Sequence, residues 1–413
     1  MDSGTSYEGM ALRSLEIGIV GCGIAGQAAA RFLADAGHVV TLLERFEQPH
    51  AVGAGLLLQP TGLSVLRALG IEQDALAAGA RIDGLVGENQ WGIRVIDLAY
   101  GDLHPAAFGL GIRRSALFDL LHRRVLASGV RLVTGVEIVD VEREGARAVA
   151  LDRKARRHGP FDLLVVADGS HSALRQRLFP RARAPLYPWG CAWTTVPDTQ
   201  AFGAVRLLRQ RFAGTGTMMG ILPVAPHRLT LFWSLPTPVL EADRPLDLEA
   251  MRRDALWLWP DAASIIERAV AAGDFSRATY RHVTLPRWNE GPVLFVGDSA
   301  HGTSPQLGQG ANLGLLDAHA LGRSLAEAGD LTQAIDLFAA RRGPPNRFYG
   351  TASHLLTPFF QSHHDLLAIP RDLVLQRACQ LAPVRRSLTG VLAGLRRGWG
   401  SAESLDADGR FPL

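Results

Sequence analysis

Apolar and polar positions near the start of the chain predict a strand, a helix and a second strand. The run IGIV is typical of a short buried strand, and the stretch QAAARFLADAG that follows has a helical pattern that ends at Gly37. HVVTLLE then predicts a second strand that ends at Glu44. The turn between the first strand and the helix has the pattern Gly-x-Gly-x-x-Gly, which is typical of a dinucleotide-binding β-α-β unit.

The residues of this turn point to a nucleotide site. Gly21, Gly23 and Gly26 allow a tight turn and a close approach of a pyrophosphate, and the helix N-terminus supplies N–H groups. Glu44 would accept hydrogen bonds from a ribose hydroxyl and would disfavour a 2′-phosphate, so the adenosine bound here is not that of NADP. The motif alone leaves NAD and FAD open.

Two later strands end in similar turns. The stretch GPFDLLVVADGS predicts a buried strand that ends at Asp168 and Gly169, and VLFVGDSAH predicts another that ends at Gly297 and Asp298. Three strands that end in a glycine turn with an acid nearby predict one extended ligand. A metal site is not predicted, because no second cluster of His, Asp or Glu has ligand spacing.

Composition narrows the class of protein. The 413 residues are 47% hydrophobic and 20% charged, as in ordinary globular proteins, and the net charge of +3 with no basic and aromatic stripe predicts no nucleic-acid partner. Three widely spaced cysteines without a CxxC pair fit a reducing compartment, and no apolar run reaches 18 residues, so we predict a cytoplasmic protein. Lys154 is the single lysine, which argues against chemistry that needs a catalytic lysine.

In their order along the chain, the three motifs resemble those of the flavoprotein aromatic hydroxylases, the para-hydroxybenzoate hydroxylase-like single-component FAD monooxygenases. The third motif is Gly-Asp-x-Ala-His-x-x-x-Pro, although Gly302 stands where the family often has proline. The resemblance implies bound FAD, NADH or NADPH as a transient co-substrate, and molecular oxygen. It implies hydroxylation of an aromatic, quinone-like or polyketide-like small molecule through a C4a-hydroperoxyflavin.

The resemblance also implies a discontinuous α/β fold. We predict a Rossmann-like FAD-binding domain with an inserted, mostly antiparallel substrate-binding sheet and C-terminal helices. The predicted FAD-binding domain comprises residues 1–80, 101–182 and 283–350, the substrate-binding domain 81–100 and 183–282, and the C-terminal helical segment 351–413.

The family pattern assigns site residues by position. Gly53, Ala54 and Gly55 would pass the flavin, and the helix that begins at Gly308–Asn312 would direct N–H groups at the flavin N1 and O2 atoms. His301 is expected to form a structural hydrogen bond. The predicted catalytic residues are Pro305, Gly308 and Gln309. The predicted cofactor-binding residues are Gly21, Gly23, Ala25, Gly26, Glu44, Arg45, Gly55, Arg114, Asp168, Gly169, Asp298, Pro305, Gly308, Gly310, Ala311 and Asn312. The predicted substrate contacts are Trp193, Met219, Ile221, Phe232 and Trp233, of which strand alternation turns about half away.

The C-terminal segment allows two interpretations. Its amphipathic helices, with arginine on one face, resemble the tail of ubiquinone-biosynthesis hydroxylases, which implies weak contact with a membrane. Packing on the FAD domain or in a dimer is the interpretation that we favour, and we expect a monomer or homodimer with a loose tail after residue 400.

Further functions on the same fold are weighed against hydroxylation. A halogenase is disfavoured because Trp-x-Trp-x-Ile-Pro and a suitably placed lysine are absent from the sequence. A flavin-dependent reductase and an FAD-binding protein without turnover both stay compatible with the three motifs.

Overall fold

The computed structural model describes residues 12–51 and 55–413. Gly53 and Ala54, which we predicted to pass the flavin, lie outside the described residues. Within them the strands are β1 (Glu16–Val20), β2 (Val39–Leu43), β3 (Gly55–Leu58), β4 (Ala80–Ile82), β5 (Gly84–Asn89), β6 (Arg94–Ala99), β7 (Gly109–Arg113), β8 (Arg131–Val133), β9 (Ile138–Glu144), β10 (Arg147–Asp152), β11 (Arg157–Phe161), β12 (Leu163–Val166), β13 (Trp189–Pro197), β14 (Leu207–Ala213), β15 (Thr217–Ala225), β16 (Arg228–Pro236), β17 (Ser276–Ala278), β18 (Asn289–Glu290) and β19 (Val293–Phe295).

The helices alternate with these strands in the first part of the chain and follow them at the end. They are α1 (Ile24–Asp35), α2 (Pro60–Ala68), α3 (Glu72–Ala78), α4 (Arg114–Leu126), α5 (Ala173–Leu178), α6 (Thr237–Glu241), α7 (Leu248–Leu258), α8 (Ala263–Ala272), α9 (Asp298–His301), α10 (Gly310–Glu327), α11 (Leu331–Leu356), α12 (Ala368–Gln380) and α13 (Ala382–Leu392).

A mostly parallel sheet brings the three motifs together. Its strand order is β18-β19-β12-β1-β2-β8, and β1 pairs in parallel with both β12 and β2. Strands β1, β12 and β19 each end where one of the three motifs begins. Because the carboxyl ends of parallel strands lie at one edge of a sheet, the turns of all three motifs meet there. The predicted α/β fold with a Rossmann-like parallel sheet is confirmed.

The second large sheet lies between two layers. Its order is β17-β13-β16-β15-β14-β5-β6, antiparallel except where β14 pairs with β5. One face packs against α7 and α8 in a hydrophobic cluster, whereas the other face, here called the inner face, packs toward β3, β4 and the C-terminal helices. The approach to β7 is close, since a Cβ on Gly111 would lie 1.9 Å from the Pro223 carbonyl oxygen. The inner face therefore lies against the small sheet of order β3-β7-β4.

The C-terminal helices α12 and α13 pack against β5 and the turn after β6. Arg385 forms an ion pair with Asp102 at 2.8 Å, and the Asn89 amide donates to Asp372 at 2.9 Å. The tail was predicted to be loose, and this was wrong, because the Ser64 hydroxyl donates to the carbonyl of Phe411 at 2.7 Å. Among the described residues, no helix combines the length and the apolar character needed to cross a membrane.

Two of the predicted domain boundaries fall inside a strand or an α-helix, and a third, after residue 100, falls inside a 3-10 helix at Tyr100–Asp102. Strand β4 spans the boundary after residue 80, and α11 continues through Pro344 and Pro345 to Leu356, past the boundary at residue 350. The division into domains stays a prediction.

Candidate active site

A groove at the carboxyl edge of the parallel sheet collects the first two motifs. Its cavity measures about 340 Å³. It brings together seven of the predicted cofactor-binding residues: Gly21, Gly23, Glu44, Arg45, Arg114, Asp168 and Gly169. Residues that are far apart in the sequence thus line one groove.

The first glycine turn is shaped for a close approach of a ligand. Gly21 has a φ of +101°, and a Cβ on Gly26 would lie 1.9 Å from the Gly21 carbonyl oxygen. A Cβ on Gly23 would meet nothing within 4 Å, so the space beside it is open. Helix α1 starts after Gly23 without a side-chain cap, which leaves its first N–H groups available to an anion. Ala25 lies on the other side of the turn, where it packs against Gly297 and Gly314.

Glu44 lines the groove and also holds this turn in place through hydrogen bonds. Its carboxylate accepts hydrogen bonds from the backbone N–H groups of Cys22 at 2.7 Å and Phe46 at 3.0 Å. Each oxygen can accept a further bond, so a ribose hydroxyl remains compatible with this geometry. Burial, together with the nearby charge of Glu44, raises the pKa of the Cys22 thiol to about 12. Cys22 is therefore a neutral packing residue.

Asp168 carries an orphaned acceptor in the groove. Its Oδ1 atom is buried and has no hydrogen-bond partner among the described residues, and burial raises the pKa of Asp168 to about 6. Nearby Arg175 is almost completely buried and donates to the carbonyl oxygens of Ser170 at 2.5 Å and Ser299 at 3.0 Å. Arg175 thus ties the second motif to the third, a role that the sequence did not reveal.

The third motif places an exposed carboxylate before a helix N-terminus. Asp298 begins α9 and is exposed, and a Cβ on Gly310 would lie 3.6 Å from its Oδ1 atom. The turn then passes Pro305 and reaches Gly308, whose φ is +62°. Helix α10 begins at Gly310 without a side-chain cap, so its first N–H groups, including that of Ala311, lack side-chain acceptors. The predicted start of this helix agrees with the structure within two residues.

Two side chains of the third motif are engaged within the protein. The Gln309 amide donates to the carbonyl of Leu392 at 2.6 Å, and Asn312 accepts from the backbone N–H of Gln59 at 2.9 Å. Asn312 also donates to the carbonyl of Gly308 at 3.1 Å. These bonds hold the turn against neighbouring segments, so the backbone of the turn, more than these side chains, is available to a ligand.

A buried polar network lies directly behind the third motif. The Asp317 carboxylate is 2.5 Å from His301 Nε2 and accepts from the Gly297 N–H at 2.9 Å. Its other oxygen accepts from Arg342 at 2.8 Å and Asn346 at 3.0 Å. His301 therefore has the structural role we expected, whereas Asp317 and Arg342 were missed because their helical context gave no sign of burial.

The predicted substrate contacts are divided between the two faces of the second large sheet. Met219, Ile221 and Trp233 are buried on the opposite face, where they pack with α7 and α8. Trp193 and Phe232 lie on the inner face with ring centroids 5.2 Å apart. Strand alternation explains this division, because neighbouring residues point to opposite faces.

Tyr280 is a polar group on the inner face that sequence analysis missed. Its hydroxyl is buried without a hydrogen-bond partner among the described residues, near Cys191 and Trp193. Burial raises the pKa of Tyr280 well above its usual value, so the phenol stays protonated. The residue lies in an irregular segment between β17 and β18, which carries no periodic signal.

No group of three or more His, Cys, Asp or Glu side chains in residues 12–51 and 55–413 could hold a metal ion.

Comparison with known proteins identifies relatives that are similar to this chain over most of its length. The family described as FAD binding domain matches residues 14–334. An aurachin C monooxygenase/isomerase from Stigmatella aurantiaca is 28% identical over 331 residues, covering 79% of this chain and 85% of that protein. A salicylate hydroxylase from Pseudomonas putida is 28% identical over 367 residues, covering 80% and 82%. The crystal structure of Klebsiella pneumoniae HpxO with FAD and uric acid is similar with a TM-score of 0.76 at 19% identity, covering 92% and 97%.

Proposed function

The chain belongs to the FAD-binding domain family and is an FAD-dependent monooxygenase. From this premise we propose that it hydroxylates a planar aromatic, quinone-like or polyketide-like small molecule, with NADH or NADPH as electron donor. The convergence of three glycine turns and two uncapped helix N-termini at one sheet edge carries the proposal. Bound FAD would supply the redox chemistry, in which a hydride is taken up and oxygen is reduced, one atom going to the substrate and one to water.

The residues of the groove and of the third motif fit FAD. The open space beside Gly23 and the uncapped start of α1 suit a pyrophosphate, and Glu44 suits a ribose. The exposed carboxylate of Asp298 suits the ribityl hydroxyls. The N–H groups at the start of α10 would stabilise the negative charge of the reduced ring without a formal cation, because the helix dipole is positive there.

Basic residues beside Asp168 support transient binding of a pyridine nucleotide. His171 lines the groove next to Gly169. Burial, and then the charges of Arg281 and Arg175, lower the pKa of His171. The half-buried Arg281 guanidinium would attract the phosphates of NADH or NADPH, whereas the buried Arg175 guanidinium is already held by the Ser170 and Ser299 carbonyls.

The inner face supplies a place for the substrate ring. Phe232 and Trp193 offer apolar surface. The Phe232 side chain lies across β15 because residue 220 is glycine: a Cβ there would be 2.0 Å from the Phe232 ring. The protonated hydroxyl of Tyr280 would donate to a carbonyl or phenolate oxygen of the substrate. These side chains would orient the substrate and exclude water.

Replacement of Tyr280 by phenylalanine is expected to raise KM for the substrate by about 5- to 10-fold, the value of one hydrogen bond. FAD occupancy should not change. Tyr349→Phe is the control, because the Tyr349 hydroxyl donates to the carbonyl of Val391, in the helical segment after the substrate-binding sheet. Steady-state kinetics of both variants check this, and equal KM values in Tyr280→Phe and the wild type would remove Tyr280 from the site.

The proposed function is tested on the protein as purified. We expect flavin absorption bands, and NADH or NADPH oxidation and oxygen consumption that a panel of phenols, quinones and polycyclic aromatics stimulates. Product formation coupled to oxygen uptake supports a monooxygenase. Flavin reduction that turns over a substrate without oxygen uptake would indicate a reductase, and a bound flavin that neither nucleotide reduces would indicate a protein without turnover.

A further inference from the structure

A surface cleft lined by three tryptophans lies at one end of the substrate-binding sheet. This tryptophan cleft is lined by Trp91, Trp189, Trp257, His363, Asp365 and Ile369, with a cavity of about 680 Å³. Trp91 is 72% exposed and Trp257 is 65% exposed, which is unusual for the largest apolar side chain. We propose that the cleft is an outer binding site for the substrate, which takes a neutral planar aromatic molecule; this rests on the proposed function.

An unused hydrogen-bond donor lies in the wall of the cleft. Trp189 is only 7% exposed, and its Nε1–H group has no acceptor among the described residues. Its ring lies 5.3 Å from that of His363, and a Cβ on Gly216 would be 3.1 Å from the indole. The Nε1 atom itself is covered, so an acceptor on a bound molecule would reach it only after the indole shifts, and the contact would then relieve the cost of the unpaired N–H group. The cleft therefore suits an aromatic ring that carries a carbonyl oxygen.

The charges of the cleft select against anions. Asp365 and Asp372 line it, and no lysine or arginine within the described part of the chain does. Asp372 is paired with Arg371 at 2.7 Å, whereas Asp365 accepts from the Thr215 N–H at 3.1 Å. A carboxylated ring would meet the uncompensated charge of Asp365, and a neutral ring would not. The charges thus disfavour an anionic ring, in agreement with the proposed neutral, planar aromatic ligand.

A thin wall separates the cleft from the turn that would face the flavin. Ser362 lines the cleft, and its neighbour Gln361 accepts from the Gln306 amide at 2.9 Å. Gln306 follows Pro305 in the third motif. Gln361 also donates to the carbonyl of Gly190 at 3.4 Å, next to Trp189. The side chain of Gln361 therefore links the wall of the cleft to the third motif.

Isothermal titration of the FAD-loaded protein with 4(1H)-quinolone tests the outer site. We expect binding that Trp91→Ala and Trp257→Ala each weaken by about 10-fold, the value of an aromatic contact. Trp189→Phe should weaken it by about fivefold through loss of the hydrogen bond. Trp399→Ala is the matched control, because Trp399 is also 65% exposed but does not line the cleft. Quinoline-4-carboxylate should bind at least 10-fold more weakly than the quinolone, about 1.4 kcal/mol.

Each other outcome overturns the proposal. Quinolone affinity that is unchanged in both alanine variants, or lost equally in Trp399→Ala, would remove the cleft as a binding site. Absence of quinolone binding, with phosphatidylglycerol vesicles or a second copy of the chain bound through Trp257 instead, would assign the cleft to a lipid surface or a dimer.

Steady-state kinetics distinguish a failure of this proposal from a failure of the proposed function. With an accepted substrate, Trp257→Ala should raise KM by about the same 10-fold while kcat is unchanged, because the outer site acts before the chemistry. If no compound is turned over, the function fails, but the titration still decides whether the cleft binds a neutral ring.

Discussion

Asp317→Ala is expected to lower the free energy of unfolding by about 3 to 5 kcal/mol, the cost of leaving buried charged partners unpaired. Asp317 is 0% exposed, and its removal leaves the Arg342 guanidinium, the His301 ring and the Gly297 N–H without their acceptor. Because Gly297 precedes Asp298, the third motif should lose its geometry as well. Urea unfolding at pH 7 measures the effect.

The same network predicts a pH dependence of stability. Burial alone would raise the pKa of Asp317, but the charges of His301 and Arg342 and their hydrogen bonds hold it well below its usual range. A depressed folded-state pKa contributes stability above the unfolded pKa of about 4, and this contribution falls as the pH drops toward the folded value. The wild type should therefore lose stability between about pH 5 and pH 2 more steeply than Asp317→Asn.

Asp336→Ala is the control for both measurements. Asp336 is exposed on α11, the helix that also carries Arg342, and its loss should change stability by less than about 0.5 kcal/mol. If the free energy of unfolding of Asp317→Ala is within about 1 kcal/mol of the wild-type value, the network does not stabilise the fold.

Asp298→Ala is expected to weaken FAD binding by about 100-fold or more, since hydrogen bonds to a charged group are the stronger kind and two hydroxyls would lose their acceptor. The protein should be purified largely colourless. Asp298 is exposed at the start of α9, so the variant should unfold at nearly the same urea concentration as FAD-free wild type. Flavin absorbance per chain and the Kd for added FAD measure the effect.

Asp298→Asn keeps the shape but removes the charge, and should bind FAD with an intermediate affinity. A variant Asp298→Ala that keeps full yellow occupancy and normal reduction would show that the ribityl chain is held elsewhere.

The sequence alone determined the elements that depend on local signals. Apolar runs bounded by glycine predicted β1, α1, β2 and the strands before Asp168 and Asp298, because a buried parallel strand and a glycine turn leave a short, contiguous pattern. From these, the convergence of three motifs at one sheet edge follows by topology.

The tertiary structure alone decided which groups share a burial environment. Strand alternation predicted that about half of the predicted substrate contacts turn away, but only packing against α7 and α8 showed that Met219 and Trp233 are among them. Asp317, Tyr280 and Trp189 have polar atoms whose significance arises from neighbours distant in sequence. Burial and hydrogen-bond partners depend on contacts between distant segments, and no local pattern of residue types encodes those contacts.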